Sequence, residues 1–156
     1  MTDKKFKAFV VDEQDDNQFA GAVREKFQSE LPQGEVRIRV YYSALNYKDA
    51  LSAKGNRGVT KRYPHTPGID AAGVVEYSED PEFKPGAEVV VTSYDLGMNT
   101  PGGFGQYISV PADWVVKLPS GLGLKEAMII GTAGLTAAMA VNKIEERIDP
   151  EQGEIL

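Results

Sequence analysis

Short segments that are rich in β-forming residues and bounded by proline or glycine follow one another through the first two-thirds of this 156-residue chain. One of them, Glu35–Tyr41, alternates clearly between apolar and polar residues, as a half-buried strand does. Many short strands separated by turn residues are typical of a closed or nearly closed barrel. The six predicted strands are Phe6–Val11, Glu35–Tyr41, Ala72–Tyr77, Ala87–Thr92, Gln106–Val110 and Trp114–Lys117.

The last third of the chain changes character, because Leu124 to about Glu146 has the composition of a helix. Between Ala127 and Val141 the only polar side chains are those of Thr132 and Thr136. This stretch is too short to span a bilayer and too apolar to leave a face in solvent. Such a helix requires cover on all sides, and the preceding strands can cover only one side, so we expect part of its apolar surface to be uncovered in this chain.

Composition excludes several classes of function. The net charge of −6 argues against nonspecific binding of nucleic acid or anionic membranes. Cysteine is absent, which excludes disulfides and thiolate metal sites. No apolar run follows the first residues, so we expect a cytoplasmic protein without a secretory signal.

The segment Asn46-Tyr47-Lys48-Asp49 has the composition of a short helical turn that carries polar groups. Asn46 and Asp49 are three residues apart, so both side chains lie on one helical face and can hold one polar partner together. Asn46 could instead serve only as an N-cap, and Tyr47 only as a packing residue. Both interpretations stay open at this point.

A loop punctuated by proline and glycine, Tyr63 to Val75, leads directly into a predicted strand. Its prolines fix φ and stiffen the approach. Gly68 and Gly73 allow the backbone to come close to other groups around Asp70. This rigid presentation of polar groups at the start of a strand indicates a site rather than a linker.

Several segments of the chain, taken in order, resemble the YhdH/YhfP-type quinone oxidoreductases of the medium-chain dehydrogenase/reductase superfamily, a group that includes acryloyl-CoA reductase. Each motif is short, but their order and spacing are specific, and together they cover nearly the whole chain. The matching segments are Asn46–Leu51, Tyr63–Gly73, Pro85–Val90, Gly102–Tyr107 and Gly131–Ala137.

The resemblance implies a mainly β fold with helices, the GroES-like barrel catalytic domain of such a reductase, over residues 1–123. Residues 124–156 would form a linking helix and, at Glu154–Leu156, the first strand of a Rossmann domain that is otherwise lacking. No G-x-G-x-x-G loop for a pyrophosphate occurs, since the patterns at Gly103 and Gly121 have no third glycine. We therefore expect a truncated chain that is inactive by itself.

The function implied for the full-length protein is zinc-independent, NADPH-dependent reduction of an activated double bond, as in acryloyl-CoA, or of a quinone. A hydride would reach the β-carbon and a proton the α-carbon, with Tyr47 as the predicted proton donor or orienter. The predicted cofactor-binding residues are Asn46, Asp49, Thr132 and Thr136, and the predicted substrate-binding residues are Lys61, Arg62 and Tyr94.

Two of these assignments have structural alternatives. Each hydroxyl of Thr132 and Thr136 could bond the carbonyl one turn back and have no other role. A basic stretch near the polar turn could be a solvated loop or a rim that attracts a nucleotide or coenzyme A phosphate. That stretch comprises Lys48, Lys54, Arg57, Lys61 and Arg62.

A metal site is not expected. The zinc-dependent branch of the superfamily has Gly-His-Glu where this chain has Gly68-Ile69-Asp70, and a cysteine that this chain does not have. His65 is the only histidine, and we expect it to be a loop residue with local hydrogen bonds.

A rival interpretation is a non-enzymatic GroES-like barrel that serves as a binding or oligomerisation module. It accounts for the barrel and the apolar helix without a cofactor. In either case, uncovered apolar surface on the helix predicts self-association, as a homodimer. For the enzyme we expect a small-molecule substrate and neither nucleic acid nor a membrane as partner.

Overall fold

The computed structural model describes residues 3–147, which form seven strands and two α-helices within this range. Three short 3-10 turns, at Asp15–Asn17, Gln28–Glu30 and Ala112–Trp114, lie between them. In chain order the elements are β1 (Lys5–Glu13), β2 (Phe19–Phe27), β3 (Val36–Tyr42), α1 (Tyr47–Ala53), β4 (Asp70–Ser78), β5 (Glu88–Thr92), β6 (Tyr107–Val110), β7 (Val115–Lys117) and α2 (Leu124–Glu145).

The strands form one five-stranded antiparallel sheet, in the order β6-β3-β4-β5-β7, and a separate hairpin of β1 and β2. Backbone hydrogen bonds attach the hairpin to the rest of the fold. The Phe9 N–H donates to the Phe104 carbonyl at 2.8 Å, and Val11 and His65 exchange bonds of 2.7 and 2.9 Å. The predicted mainly β architecture of short strands is therefore confirmed.

The main core lies on one face of the five-stranded sheet, because alternate residues of each strand point to the same side. Val36 and Ile38 of β3 and Val89 and Val91 of β5 are at most 1% exposed. Further side chains from β6, from β7 and from the connections between strands complete this core, including those of Phe83, Leu96, Ile108, Val110 and Val115.

Two glycines permit the close backbone contacts that the sequence predicts. A Cβ atom on Gly73 would lie 2.0 Å from the Arg39 carbonyl oxygen, and one on Gly68 would lie 2.6 Å from the Phe104 nitrogen. Gly68 also has a φ of 113°, which L-residues rarely adopt. The backbone at Gly68, before β4, can therefore pack closely against Phe104, and the backbone at Gly73, within β4, against Arg39.

The strand β2 is not among the predicted strands. Its side chains are mostly exposed on both faces, so its sequence carries no apolar–polar alternation to recognise. The strand forms because β1 supplies a complete antiparallel ladder, from Lys5 opposite Phe27 to Glu13 opposite Phe19.

The predicted helix is present as α2, but it is not continuous. Gly131 has φ 50° and ψ −164°, which divides α2 into an inner segment ending at Ile130 and an outer segment beginning at Thr132. The inner segment packs on the sheet through Ala127 and Met128. The predicted strand at Glu154–Leu156 lies outside the described residues.

Most apolar side chains of α2 are exposed, so the strands cover only part of the helix, as the sequence predicts. The exposed fraction is 74% for Ile129, 46% for Leu135 and 64% for Met139. Among residues 3–147, α2 is the one helix whose length and composition would let it cross a membrane, which by itself is weak evidence for a membrane span. The break at Gly131 leaves two segments that are each shorter than the roughly 20 residues a span requires.

Candidate functional site

Three strand ends meet at one edge of the five-stranded sheet and bring polar groups together there. Asp70 begins β4 and pairs with Thr92, the last residue of β5, so Ser93 follows immediately beside it. Ser43, just after β3, donates its hydroxyl to the Asp70 carbonyl at 2.6 Å. The antiparallel register therefore places the site, because it aligns the end of one strand with the start of the next.

The Asp70 carboxylate lies at the centre of this cluster and is completely buried. Its Oδ2 accepts from the Asn46 Nδ2 at 2.9 Å and from the Thr132 backbone N–H at 3.0 Å. Its Oδ1 accepts from the Thr132 hydroxyl at 2.6 Å. One side chain thus connects β4 with the residue before α1 and with the outer segment of α2.

The hydroxyls of Thr132 and Ser93 extend the cluster, with 3.1 Å between their oxygens. A threonine hydroxyl has one proton, and that of Thr132 is directed at Asp70. The Ser93 hydroxyl must therefore donate to Thr132. This gives a chain of donors that runs from the end of β5 to the buried carboxylate.

Asn46 and Asp49 lie at the start of α1, where the backbone N–H of Asn46 donates to the Asp49 Oδ2 at 2.8 Å. The other Asp49 oxygen accepts from the N–H groups of Gly68 and Ile69, at 3.1 and 3.0 Å. Burial raises the pKa of Asp49, while these three backbone donors oppose the rise and the nearby Asp70 adds to it.

The prediction that Asn46 and Asp49 hold one polar partner together is wrong in detail. The Asn46 amide binds Asp70, whereas Asp49 binds the loop at Gly68 and Ile69. Asp49 is 3% exposed and both of its oxygens accept hydrogen bonds, so it positions the loop. Its burial leaves little of the carboxylate accessible for the predicted contact with a cofactor.

Tyr47 and Thr136 lie at the surface near this cluster. Tyr47 is 80% exposed, which excludes the packing role that its sequence allowed, and its hydroxyl has no partner within residues 3–147. The Thr136 hydroxyl donates to the Thr132 carbonyl at 2.8 Å, one turn back. The structural alternative for Thr136 is thus realised, although its oxygen keeps free lone pairs.

The predicted substrate-binding residues are all exposed. Lys61 and Arg62 lie in the loop between α1 and β4, and neither side chain forms an ion pair with the part of the chain that the structure describes. Tyr94 stacks on Trp114 with a centroid distance of 5.5 Å and an interplanar angle of 6°. Arg57, which precedes Lys61 and Arg62 in the basic stretch, forms an ion pair with Glu13 of the hairpin.

His65 is a loop residue, as predicted, but its hydrogen bond is not local. Its Nε2 lies 2.9 Å from the Gly97 carbonyl oxygen, and the ring is 5% exposed. Burial lowers the pKa of His65. Within residues 3–147 no cluster of three or more His, Asp or Glu side chains could hold a metal ion.

An apolar groove of about 230 Å³ adjoins the polar cluster, between α2 and the ends of β5 and β7. Gly131 and Thr92 form its boundary with the cluster. The groove is lined mainly by Val90, Val116, Leu122, Ile130 and Leu135.

Three residues of the cluster, Asp70, Ser43 and Ser93, are not among the predicted site residues. The partners of Asp70 are 24 and 62 positions away, and no periodicity connects them. One signal was available, since Asp70 stands between two glycines that were expected to permit close approach. A polar residue held at such a position is a candidate for a buried junction.

Comparison with known proteins gives a consistent assignment. The sequence profile of the family "Alcohol dehydrogenase GroES-like domain" matches residues 32–120. The acrylyl-CoA reductase AcuI of Ruegeria pomeroyi is 44% identical over 153 residues, which are 97% of this chain and 46% of that protein. YhfP of Bacillus subtilis, provisionally assigned as a quinone oxidoreductase, is 50% identical over 128 residues, 81% of this chain and 39% of its own.

Two solved structures share the fold of this chain. The yhdH oxidoreductase of Salmonella enterica in complex with NADP has a TM-score of 0.90 at 43% identity, over 94% of this chain and 45% of that one. The Bacillus subtilis YhfP with NAD bound has a TM-score of 0.91 at 44% identity, over 97% and 46%. The chain therefore spans less than half the length of each of these relatives.

Proposed function

Because this chain belongs to the family of alcohol dehydrogenase GroES-like domains, we propose that it is the N-terminal catalytic-domain portion of a zinc-independent, NADPH-dependent reductase. The substrates would be activated double bonds, as in an acryloyl-CoA-like enoyl thioester, or quinones. The observation that carries the proposal is the 44% identity to an acrylyl-CoA reductase across 97% of the chain. The NADP complex of a structural neighbour supports the choice of cofactor.

The residues at the surface of the polar cluster suit a nicotinamide nucleotide, which presents amide and hydroxyl donors. The Oδ1 of Asn46 and the hydroxyl oxygen of Thr136 accept no hydrogen bond within residues 3–147. Both can therefore accept from a ligand without breaking a bond of the fold. When bound, the nicotinamide supplies a hydride to the substrate. Asn46, Thr132 and Thr136 would contact it, and Asp49 would hold α1 in place.

We assign the proton-donating role to Tyr47. Its hydroxyl is exposed and has no partner in the described part of the chain, so it is free to turn towards a substrate. It would deliver a proton to the carbon next to the carbonyl, where negative charge develops. The cationic groups of Lys61 and Arg62 and the ring of Tyr94 would contact the remainder of the substrate. We propose a cytoplasmic location and a homodimer.

The test is an NADPH-oxidation assay of the complete protein with acryloyl-CoA and, separately, with a benzoquinone. We expect turnover with at least one substrate class, and we expect Tyr47→Phe to lower kcat by roughly a hundredfold. Tyr41→Phe is the matched control, because Tyr41 is also exposed but lies on β3. Absence of turnover with both substrates would overturn the proposal, and an unchanged kcat in Tyr47→Phe would overturn the role of Tyr47.

One observation favours the second candidate, a non-enzymatic oligomerisation module. The outer segment of α2 presents Leu135, Met139 and Val141 to solvent, all at least 46% exposed. A module of this kind would assemble through these exposed apolar side chains and bind no nicotinamide cofactor. Calorimetry of the complete protein with NADPH separates the two candidates, because both are expected to associate and only the reductase binds the cofactor.

A further inference from the structure

Asp70 is the one carboxylate of the polar cluster that the proposed function does not use. It is completely buried and forms no ion pair with any cation of residues 3–147. Burying a charge without a counterion costs free energy unless hydrogen bonds replace the lost water. Three donors do so, one from Asn46 and two from Thr132.

The break in α2 is shaped around this carboxylate. The outer segment begins at Thr132, whose backbone N–H points at Asp70, so the positive end of that segment's dipole faces the negative charge. A Cβ on Gly131 would lie 2.9 Å from the Asp70 Oδ2 and 3.2 Å from the Ala44 Cβ. Glycine is thus needed there both for its backbone conformation and for space. The direction of α2 beyond Gly131 depends on the position of Asp70.

Through Thr132, the Asp70 carboxylate is also connected to the turn after β5, which contains Ser93 and Tyr94. Ser93 and Tyr94 have φ values of 64° and 50°, which are unusual for residues with a side chain. The Ser93 hydroxyl is held by Thr132, and the Tyr94 ring is held by Trp114. Asp70 accepts the proton of the Thr132 hydroxyl, so the oxygen of that hydroxyl is left to accept a hydrogen bond from Ser93 in this turn.

We propose that Asp70 is a positioning residue that fixes three site-forming groups in one arrangement: Asn46, the outer segment of α2, and the Ser93–Tyr94 turn. Its role is hydrogen-bond geometry and not proton transfer. The consequence for catalysis rests on the proposed function, whereas the consequence for geometry does not.

The substitution Asp70→Asn separates geometry from charge. The retained oxygen accepts from Asn46 and the Thr132 N–H, while the new amide group donates to the Thr132 hydroxyl, which then turns towards Ser93. Every bond of the cluster can persist, with the donor and acceptor exchanged in two of them, the bond between residue 70 and the Thr132 hydroxyl and the bond between Thr132 and Ser93. Asp70→Ala has the same change in charge but leaves all three donors without an acceptor.

The experiment compares these two variants of the complete protein by steady-state kinetics with NADPH and the better substrate. We expect Asp70→Asn to stay within about threefold of the wild-type kcat/KM and Asp70→Ala to lose about tenfold or more, partly through a higher KM for NADPH. Equal losses in both variants would overturn the geometric role. Wild-type kinetics in a folded Asp70→Ala protein would do so as well.

A second measurement does not depend on catalysis. Trp114 is the only tryptophan of these 156 residues, and its emission can be isolated by subtracting the spectrum of the matching Trp114→Phe protein. Thr132→Val, which removes the hydroxyl, should change this emission, and Thr132→Ser should restore it. If both variants matched the wild type, the connection to the Ser93–Tyr94 turn would be refuted, even in a protein that showed no reductase activity.

Discussion

At the scale of single residues, the site depends on hydrogen bonds between groups that are distant in sequence. Asp49 and Asp70 are both buried carboxylates, yet each is satisfied by different donors. Asp49 accepts hydrogen bonds from backbone N–H groups of the loop before β4. Asp70 accepts them from side chains and from the backbone N–H of Thr132, the first residue of the outer segment of α2. The two carboxylates together fix the path of the chain on both sides of Ile69.

The substitution Gly131→Ala should lower the free energy of unfolding by about 2–3 kcal/mol, because it combines backbone strain with a clash against Asp70. Gly86→Ala is the matched control, since Gly86 has a φ of 90° but a Cβ there would have no other atom within 4 Å. It should cost only about 1 kcal/mol, from strain alone. Urea denaturation measures both values, and equal costs would contradict the steric contribution of Asp70.

The folded state should lose stability on mild acidification because of His65. Burial lowers its pKa below the ordinary value near 6.5; the Gly97 carbonyl and Asp95 oppose this shift, and Lys26 adds to it. The unfolded chain therefore binds a proton more readily. The contribution of the neutral ring is complete above about pH 6.5 and is lost as the pH falls through the lower, folded-state pKa.

Urea denaturation from about pH 7.5 to about pH 5 provides the test. In the wild type we expect the free energy of unfolding to fall with a slope of at most about 1.4 kcal/mol per pH unit from this group. The variant His65→Gln keeps a donor for the Gly97 carbonyl and should lack this component. If both proteins gave the same slope, His65 would not be its origin.

At the scale of elements, the strands were predictable and their partners were not. Six of the seven strands overlap the segments chosen for their β-forming residues and flanking turns, because burial of one face produces a visible pattern. β2 has no such pattern. The break in α2 was also missed, since a glycine within an apolar helix is ordinary and its conformation here depends on Asp70.

The exposed apolar side chains of α2 should cause self-association of this chain. Replacing Met139 and Val141 by lysine and glutamate should reduce the association measured by sedimentation, without loss of stability, since both side chains are at least half exposed. Asn142→Lys, on the same helix, is the matched control for added charge and should have little effect. Unchanged association in the double variant would place the interface elsewhere.

At the scale of the whole molecule, the resemblance in sequence and the resemblance in structure lead to the same family. The candidate site was predicted only in part. Asn46 and Thr132 do converge, but they do so on Asp70, a residue that no spacing rule connects to either of them. A buried junction of this kind requires the tertiary register, which single-sequence patterns do not contain.

The 156 residues by themselves should bind nicotinamide cofactors weakly or not at all. They contain no G-x-G-x-x-G loop, and the backbone N–H groups of such a loop supply much of the affinity for a pyrophosphate. Calorimetry with NADPH should therefore give a dissociation constant weaker than about 0.1 mM. Micromolar affinity would mean that the polar cluster holds the cofactor without such a loop.

The outer edge of β2 has a different consequence for how the protein behaves in a crowded solution. Within residues 3–147 this strand pairs only with β1, and Arg24, Glu25 and Lys26 place consecutive charges along it. Charged side chains on a free edge hinder the docking of another strand. Fibril growth by edge-to-edge pairing should therefore be hindered at β2, and we expect aggregation to begin instead at the exposed apolar side chains of α2.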